Sequence, residues 1–152
     1  MGRNKLYLIM LFIEAVWLLG IIGAPFLSSV GLDSLSRSFF ASYSRVCHQK
    51  AERSIFIFGG QMAVCARCFG IYLGFLVGTI ALPMYSKIEN VRIPDAKLVL
   101  LSAIPLAIDG LTQLTGFRES NNELRLLTGF LFGLIVISYL IPLALVRLGA
   151  CE

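Results

Sequence analysis

The chain has 152 residues, of which 57% are hydrophobic and only 14% are charged, with a formal net charge of +4. Soluble domains carry about 25% charged residues and about 45–50% apolar ones. The composition therefore excludes an ordinary soluble domain and predicts the lipid bilayer as the main partner of the chain. Nucleic acid is not predicted as a partner, because the basic residues are dispersed between apolar segments.

Four apolar segments are long enough to cross the roughly 30 Å hydrocarbon core of a membrane as helices. They cover approximately residues 6–27, 66–84, 98–114 and 126–146. The first follows a basic start, but its apolar run is longer than that of a typical signal peptide, so we expect a retained helix. The sequence thus predicts an all-α integral membrane bundle of about four transmembrane helices, formed by residues 1–152 as a single domain, with a long first outer loop.

Weaker structural signals lie in the connections between these segments. Residues 34–45 alternate in a rough helical pattern, typical of either a short helix on the membrane surface or an ordinary polar connector. Residues 55–58 are β-prone and precede the turn signal of two glycines at 59–60. Residues 120–123 read as a capping box that opens the last helix.

The orientation is predicted from the basic start of the chain, because positive charges favour the cytoplasmic side. We expect a multi-pass protein of the cell (inner) membrane with a cytoplasmic N-terminus. The other basic residues do not decide the orientation, because they divide almost evenly between the two predicted sides. In either orientation, four spans place the first loop, residues 28–63, and the third connection, residues 115–125, on the same side of the membrane.

The long loop and the start of the second span hold the residues that carry chemistry. Cys47, His48, Cys65 and Cys68 lie within 22 residues and include three of the four cysteines and the only histidine. Read as metal ligands they form a Cys₃His set, which suits tetrahedral zinc or a soft metal. If both Cys47 and His48 bind the same ion, the backbone between them must be bent. The spacing of Cys65 and Cys68 also suits a redox pair. A third interpretation is that the cysteines are small buried hydrophobic residues.

A second polar group lies in the third predicted span and beyond it. Asp109 and Gln113 are four residues apart and share one helix face. A carboxylate inside an apolar span needs a partner, and Arg67 or Arg118 is the predicted one. The full group expected to surround the cysteines or to contact a substrate is Arg67, Asp109, Gln113, Arg118, Asn121 and Arg125. The alternative is a structural ion pair within the bundle.

Small residues mark two helix surfaces. Gly70, Gly74 and Gly78 follow one another at four-residue spacing in the second span, and Gly129 and Gly133 do so in the fourth. This spacing lets helix backbones approach closely. The sequence leaves open whether these surfaces pack within one subunit or form a homo- or hetero-oligomer.

Together these motifs resemble a family of predicted polytopic membrane proteins of unknown function. The motifs that carry the resemblance are Cys47-His48-Gln49, Glu52-Arg53-Ser54, Cys-Ala-Arg-Cys-Phe-Gly-Ile-Tyr-Leu-Gly at 65–74, Asp-Gly-Leu-Thr-Gln at 109–113, Gly-Phe-Arg-Glu-Ser at 116–120 and Arg-Leu-Leu-Thr-Gly at 125–129. The resemblance implies one composite polar site built from several segments, and it implies no particular activity.

Three functions follow as hypotheses. The first is a metal-binding membrane protein with zinc as the ion. The sequence leaves open whether the zinc is structural, carried by the protein or catalytic. The second is a membrane thiol–disulfide oxidoreductase that uses Cys65 and Cys68 with a quinone as electron acceptor. In its disfavour, enzymes of that kind carry a second cysteine pair in the other outer loop, and residues 115–125 contain no cysteine. The third is a non-catalytic subunit of a membrane complex.

Overall fold

The computed structural model describes residues 2–88, 92–114 and 121–148. Its helices are α1 (Arg3–Ser29), α2 (Asp33–Tyr43), α3 (Ala66–Tyr85), α4 (Ala96–Leu114) and α5 (Asn122–Leu148), and its strands are β1 (Ser54–Ile57) and β2 (Gly60–Cys65). One 3₁₀ turn, Ala51–Arg53, precedes β1. Each of the four long helices contains one of the four predicted apolar segments. The helix ends lie within a few residues of the predicted ends.

Three of the described helices, α1, α3 and α5, are long and apolar enough to cross a membrane, with 27, 20 and 27 residues. At about 1.5 Å per residue they are about 30–40 Å long. Only 28–33% of their most apolar stretches is buried inside the protein, so most of that apolar surface faces outward. Helix α4 exposes an apolar row of its own, formed by Leu100, Ile104, Ile108 and Leu111. The chain is therefore a multi-pass helical membrane protein, as predicted.

Helices α3 and α5 form the tightest helix pair, and glycines make it possible. A methyl group at Gly70 or Gly74 would overlap the backbone of α5, and one at Gly129 or Gly133 would overlap the backbone of α3. The two rows of small residues therefore pack against each other within one chain. The backbone contact also fixes the first turn of α3, because Gly129 lies directly against the carbonyl of Arg67.

The long loop folds into α2 followed by a β-hairpin, so the helical interpretation of residues 34–45 and the β-prone interpretation of residues 55–58 are both confirmed. The strands are antiparallel, with Ile57 paired to Gly60. Phe58 and Gly59 form the two-residue turn with φ of +52° and +77°, the left-handed pair that matches the twist of a hairpin. The hairpin is an addition to the predicted all-helical bundle.

The loop is held on the bundle by its own apolar core. Met62, Ala63 and Val64 of β2 are buried together with Ile21 and Ala24 of α1. Helix α2 is attached to α1 by two hydrogen bonds: the Ser36 hydroxyl donates to the Ala24 carbonyl at 2.8 Å, and the Tyr43 hydroxyl donates to the Trp17 carbonyl at 2.8 Å. Because β2 runs directly into α3, this core determines where the first turn of α3 begins.

We expect the substitution Gly74→Ala to lower the free energy of unfolding by about 2 kcal/mol, because its Cβ would overlap the Phe130 carbonyl oxygen. The matched control is Gly23→Ala in α1, where nothing lies within 4 Å of the added Cβ. The thermal midpoint in detergent should fall for Gly74→Ala and stay level or rise for Gly23→Ala. Equal midpoints for both variants would contradict the close α3–α5 packing.

Candidate functional site

Three cysteine sulfurs converge at the end of the bundle that carries the hairpin. The Sγ atoms of Cys47, Cys65 and Cys68 all lie within 4.8 Å of one another. Cys47 follows α2, Cys65 is the last residue of β2 and the N-cap of α3, and Cys68 lies in the first turn of α3. The hairpin lies between Cys47 and Cys65 in the chain and brings these two residues together. The sequence did not determine the distance between them.

The environment of Cys47 favours a thiolate. Its Sγ accepts the backbone N–H of Cys65 at 3.1 Å and that of Gln49 at 3.5 Å. Hydrogen bonds from the thiols of Cys65 and Cys68, together with these N–H groups, lower the pKa of Cys47 against the opposing effect of its burial. A thiolate is the form that binds a metal or attacks a disulfide. The Cys47 sulfur is therefore suited to both metal binding and thiol–disulfide exchange.

Gln49 holds the turn that presents Cys47. Its backbone adopts a left-handed φ of +51°, which is uncommon for a residue with a Cβ. The side-chain amide donates to the carbonyls of Phe40 and Ala63 at 2.8 and 2.7 Å, and the Gln61 amide donates to the Gln49 carbonyl at 2.6 Å. The left-handed backbone at Gln49 thus turns the chain directly after His48.

Neither Gln49 nor Gln61 was among the predicted site residues. Gln49 does belong to the motif Cys47-His48-Gln49 that carries the family resemblance, and this motif is the signal that could have pointed to it. No feature of the sequence pointed to Gln61, whose role depends on the register of the hairpin.

A cavity of about 350 Å³ opens over the three sulfurs. The ten residues that line it are Val46, Cys47, His48, Gln49, Lys50, Arg53, Cys65, Arg67, Cys68 and Arg125. His48 lines this cavity with an exposed side chain but does not belong to the three-sulfur group. Its predicted role as a metal ligand stays a prediction.

Arg67 joins the site to α4 through an ion pair with Asp109. The carboxylate side chain is only 5% exposed, whereas the arginine side chain is 24% exposed and reaches the cavity. The arginine partner predicted for this intramembrane carboxylate is therefore present, and it is Arg67. A buried carboxylate without such a partner would be costly, so the pair fixes the position of both helices.

Arg125 connects the first turn of α5 with the loop. Its Nη1 donates to the Asn122 side-chain oxygen at 2.9 Å and reaches the Glu52 carbonyl at 3.4 Å. The Asn122 amide donates to the Ser54 carbonyl at 3.0 Å. These contacts confirm that the long loop and the start of the fourth span meet on one side of the bundle.

The remaining predicted residues differ in their placement. Asn121 is exposed, and its side-chain oxygen accepts the Leu124 N–H at 2.8 Å, so it caps α5. Gln113 lies in α4, and its predicted part in the site stays a prediction. Arg118 lies outside the described residues, as does Ser120 of the predicted capping box.

A second, smaller cavity lies along α1 and α3, within the membrane-spanning part of the bundle. It has a volume of about 140 Å³ and is lined by Ile13, Glu14, Trp17, Tyr72 and Phe75. Within the described part of the chain, one carboxylate oxygen of Glu14 and the indole nitrogen of Trp17 are buried without a hydrogen-bond partner. Glu14 is thus an intramembrane carboxylate that the cysteine site does not use.

Fold and site together define a polytopic helical membrane protein with a thiol-rich centre at one end of the bundle. The sequence profile of the predicted membrane protein family DUF2085 matches residues 47–139. The chain belongs to this family, which confirms the resemblance noted from its motifs. The matched region begins at Cys47 and includes every residue of the cavity except Val46.

Two archaeal proteins are similar to this chain. An uncharacterized protein of Methanocaldococcus jannaschii is 46% identical over 145 residues, which cover 92% of this chain and 93% of that protein. An uncharacterized protein of Methanothermobacter thermautotrophicus is 44% identical over 91 residues, which cover 59% of this chain and 78% of that protein. No solved structure matches the chain.

We expect Asp109→Asn to lower the free energy of unfolding by about 3 kcal/mol, because it leaves the Arg67 guanidinium without its carboxylate. The control is Asp95→Asn, an exposed residue whose hydrogen bond to the Lys97 N–H an asparagine can keep. Adding Arg67→Gln to Asp109→Asn should restore part of the stability in a double-mutant cycle. Strict additivity of the two substitutions would contradict the ion pair.

Proposed function

We propose that Cys47, Cys65 and Cys68 together bind one transition-metal ion, with zinc the ion that the donor set favours. The observation that carries this proposal is the convergence of three sulfurs within 4.8 Å. Zinc–sulfur bonds of about 2.3 Å in a tetrahedron place sulfurs about 3.8 Å apart. Small side-chain rotations of the three cysteines reach that spacing from the observed arrangement.

The hydrogen bonds around Cys47 support the same proposal. A thiolate that accepts two backbone N–H groups keeps its position and its charge when a metal binds, as partners around metal ligands generally do. Three protein ligands leave a fourth coordination position, and the cavity above the sulfurs gives that position access to solvent. A zinc ion with an open position polarises a bound water or substrate, so the site suits chemistry or exchange as well as a structural role.

Purified wild-type protein should contain about one zinc ion per chain by elemental analysis. Each of the variants Cys47→Ser, Cys65→Ser and Cys68→Ser should lose most of this zinc, because the affinity depends on a complete set of thiolates. The matched control Cys151→Ser, which alters the remaining cysteine, should keep it.

Absence of stoichiometric zinc, after purification without chelator and after incubation with zinc, would contradict the proposal. A disulfide between two of the three clustered cysteines in that metal-free protein would support the second candidate instead. Thiol titration of the same samples distinguishes these outcomes, because bound zinc protects reduced thiols.

Thiol–disulfide exchange is the second candidate, and the thiolate character of Cys47 favours it. Forming one disulfide within the cluster removes two electrons and two protons, and a membrane quinone is an acceptor that takes up both. Cys47 lies close enough to Cys65 and Cys68 to act as the third, resolving thiol. The role of a non-catalytic subunit in a membrane complex remains a third hypothesis that rests on the sequence alone.

We further propose that the protein lies in the cell (inner) membrane with its N-terminus in the cytoplasm and its cysteine site on the outer side. A C-terminal fusion to green fluorescent protein should fluoresce, because four spans return the chain to the cytoplasmic side. A matched fusion to alkaline phosphatase should be inactive. An active phosphatase fusion would reverse the proposed orientation.

A further inference from the structure

The cavity over the sulfurs carries a concentration of positive charge. Four of its lining residues are basic, and they come from three separate parts of the chain: Lys50 and Arg53 from the loop, Arg67 from α3 and Arg125 from α5. Arg53 and Arg67 are close enough to Arg125 to repel it electrostatically. Such convergence of like charges opposes folding unless a negative group balances it.

The lining of the cavity contains basic side chains and no acidic one. None of its ten residues is an aspartate or a glutamate, whereas four are lysine or arginine. Three thiolates with one divalent metal ion would carry a single net negative charge. The lining is therefore suited to a ligand that is itself negatively charged.

We propose that this cavity binds a small oxyanion, a phosphate or a carboxylate, beside the metal. The inference rests on the proposed metal site, because the oxyanion would lie next to the ion. Guanidinium groups bind carboxylate and phosphate oxygens through paired, charge-assisted hydrogen bonds. A volume of about 350 Å³ exceeds the needs of a single oxyanion, so the group bound there has space for an organic substituent.

The basic side chains are also suitably placed for catalysis on such a ligand. Arg67 and the metal ligand Cys68 are adjacent in the first turn of α3, so an anion held by Arg67 lies close to the open coordination position. Helix α3 directs its N-terminus toward the same region, and a helix N-terminus favours negative charge. An oxyanion in the cavity would thus contact cations on one side and the metal on the other.

The test is equilibrium dialysis of zinc-loaded protein against radiolabelled inorganic phosphate, in a detergent without phosphate groups and at constant ionic strength. We expect saturable binding of about one phosphate per chain that acetate displaces. Arg53→Gln should weaken binding about tenfold or more, the effect of losing a charged hydrogen bond, and Lys50→Gln should weaken it to a smaller extent. Lys50 is exposed, so its substitution leaves the fold intact.

The matched control is Arg45→Gln, which removes one positive charge from an exposed residue of the same loop that does not line the cavity. It should bind phosphate as the wild type does. Phosphate binding that Arg45→Gln weakens as much as Arg53→Gln, or no saturable binding to protein that holds zinc, would overturn the inference and leave the metal site standing. Saturable phosphate binding by wild-type protein that takes up no zinc would contradict the metal site and leave the oxyanion site standing.

A second arm identifies the source of the oxyanion. The dialysis is repeated in nanodiscs of phosphatidylcholine and in nanodiscs that also contain phosphatidylglycerol. If phosphatidylglycerol displaces labelled phosphate, the cavity binds the phosphate of an anionic lipid headgroup. If it does not, the ligand is a soluble oxyanion, and both results support the binding chemistry.

Discussion

The contact between the backbones of α3 and α5 is the constraint on which the site depends. Glycines on both helices remove the side chains that would hold them apart, and in a membrane such close packing is a main source of helix association. The contact extends to the first turn of α3, where the carbonyl of Arg67 lies against Gly129. That turn also contains Cys68 and follows Cys65, so the packing of two apolar helices determines the position of two thiols.

The first turn of α3 then organises the other segments around it. The Arg67 side chain pairs with Asp109 and so fixes α4, while β2 enters the helix at Cys65 and brings the hairpin with it. The hairpin in turn supports the Gln49 turn that places Cys47 over the other two sulfurs. A polar site at one end of a membrane bundle is thereby assembled from four segments of the chain.

Sequence reasoning identified the parts of this site whose physical signal is local or unavoidable. Three cysteines in a chain so rich in apolar residues indicate chemistry, and the intramembrane carboxylate of Asp109 required an arginine, which proved to be Arg67. The glycine spacing predicted close packing, although it did not say which helices meet. The long apolar runs sufficed for the membrane class, because lipid allows few alternatives to a helix.

The features of the site that could not be predicted depend on contacts between residues far apart in the chain. The convergence of Cys47 with Cys65 required the register of the hairpin, which only the folded core of Met62, Ala63 and Val64 determines. Gln61 acts through that register and carried no signal of its own. Asn121 was assigned to the polar site from the sequence, and its side-chain oxygen also caps α5. His48, next to Cys47 in sequence, does not belong to the group of three sulfurs.

X-ray absorption at the zinc edge of the purified protein tests the central claim most directly. We expect a first shell of three sulfurs at about 2.3 Å and one lighter atom, oxygen or nitrogen, at about 2.0 Å. Substituting His48 with glutamine should leave this shell unchanged if the light atom comes from solvent or an oxyanion. A shell without sulfur, or one with a single sulfur, would contradict a metal centre built from Cys47, Cys65 and Cys68.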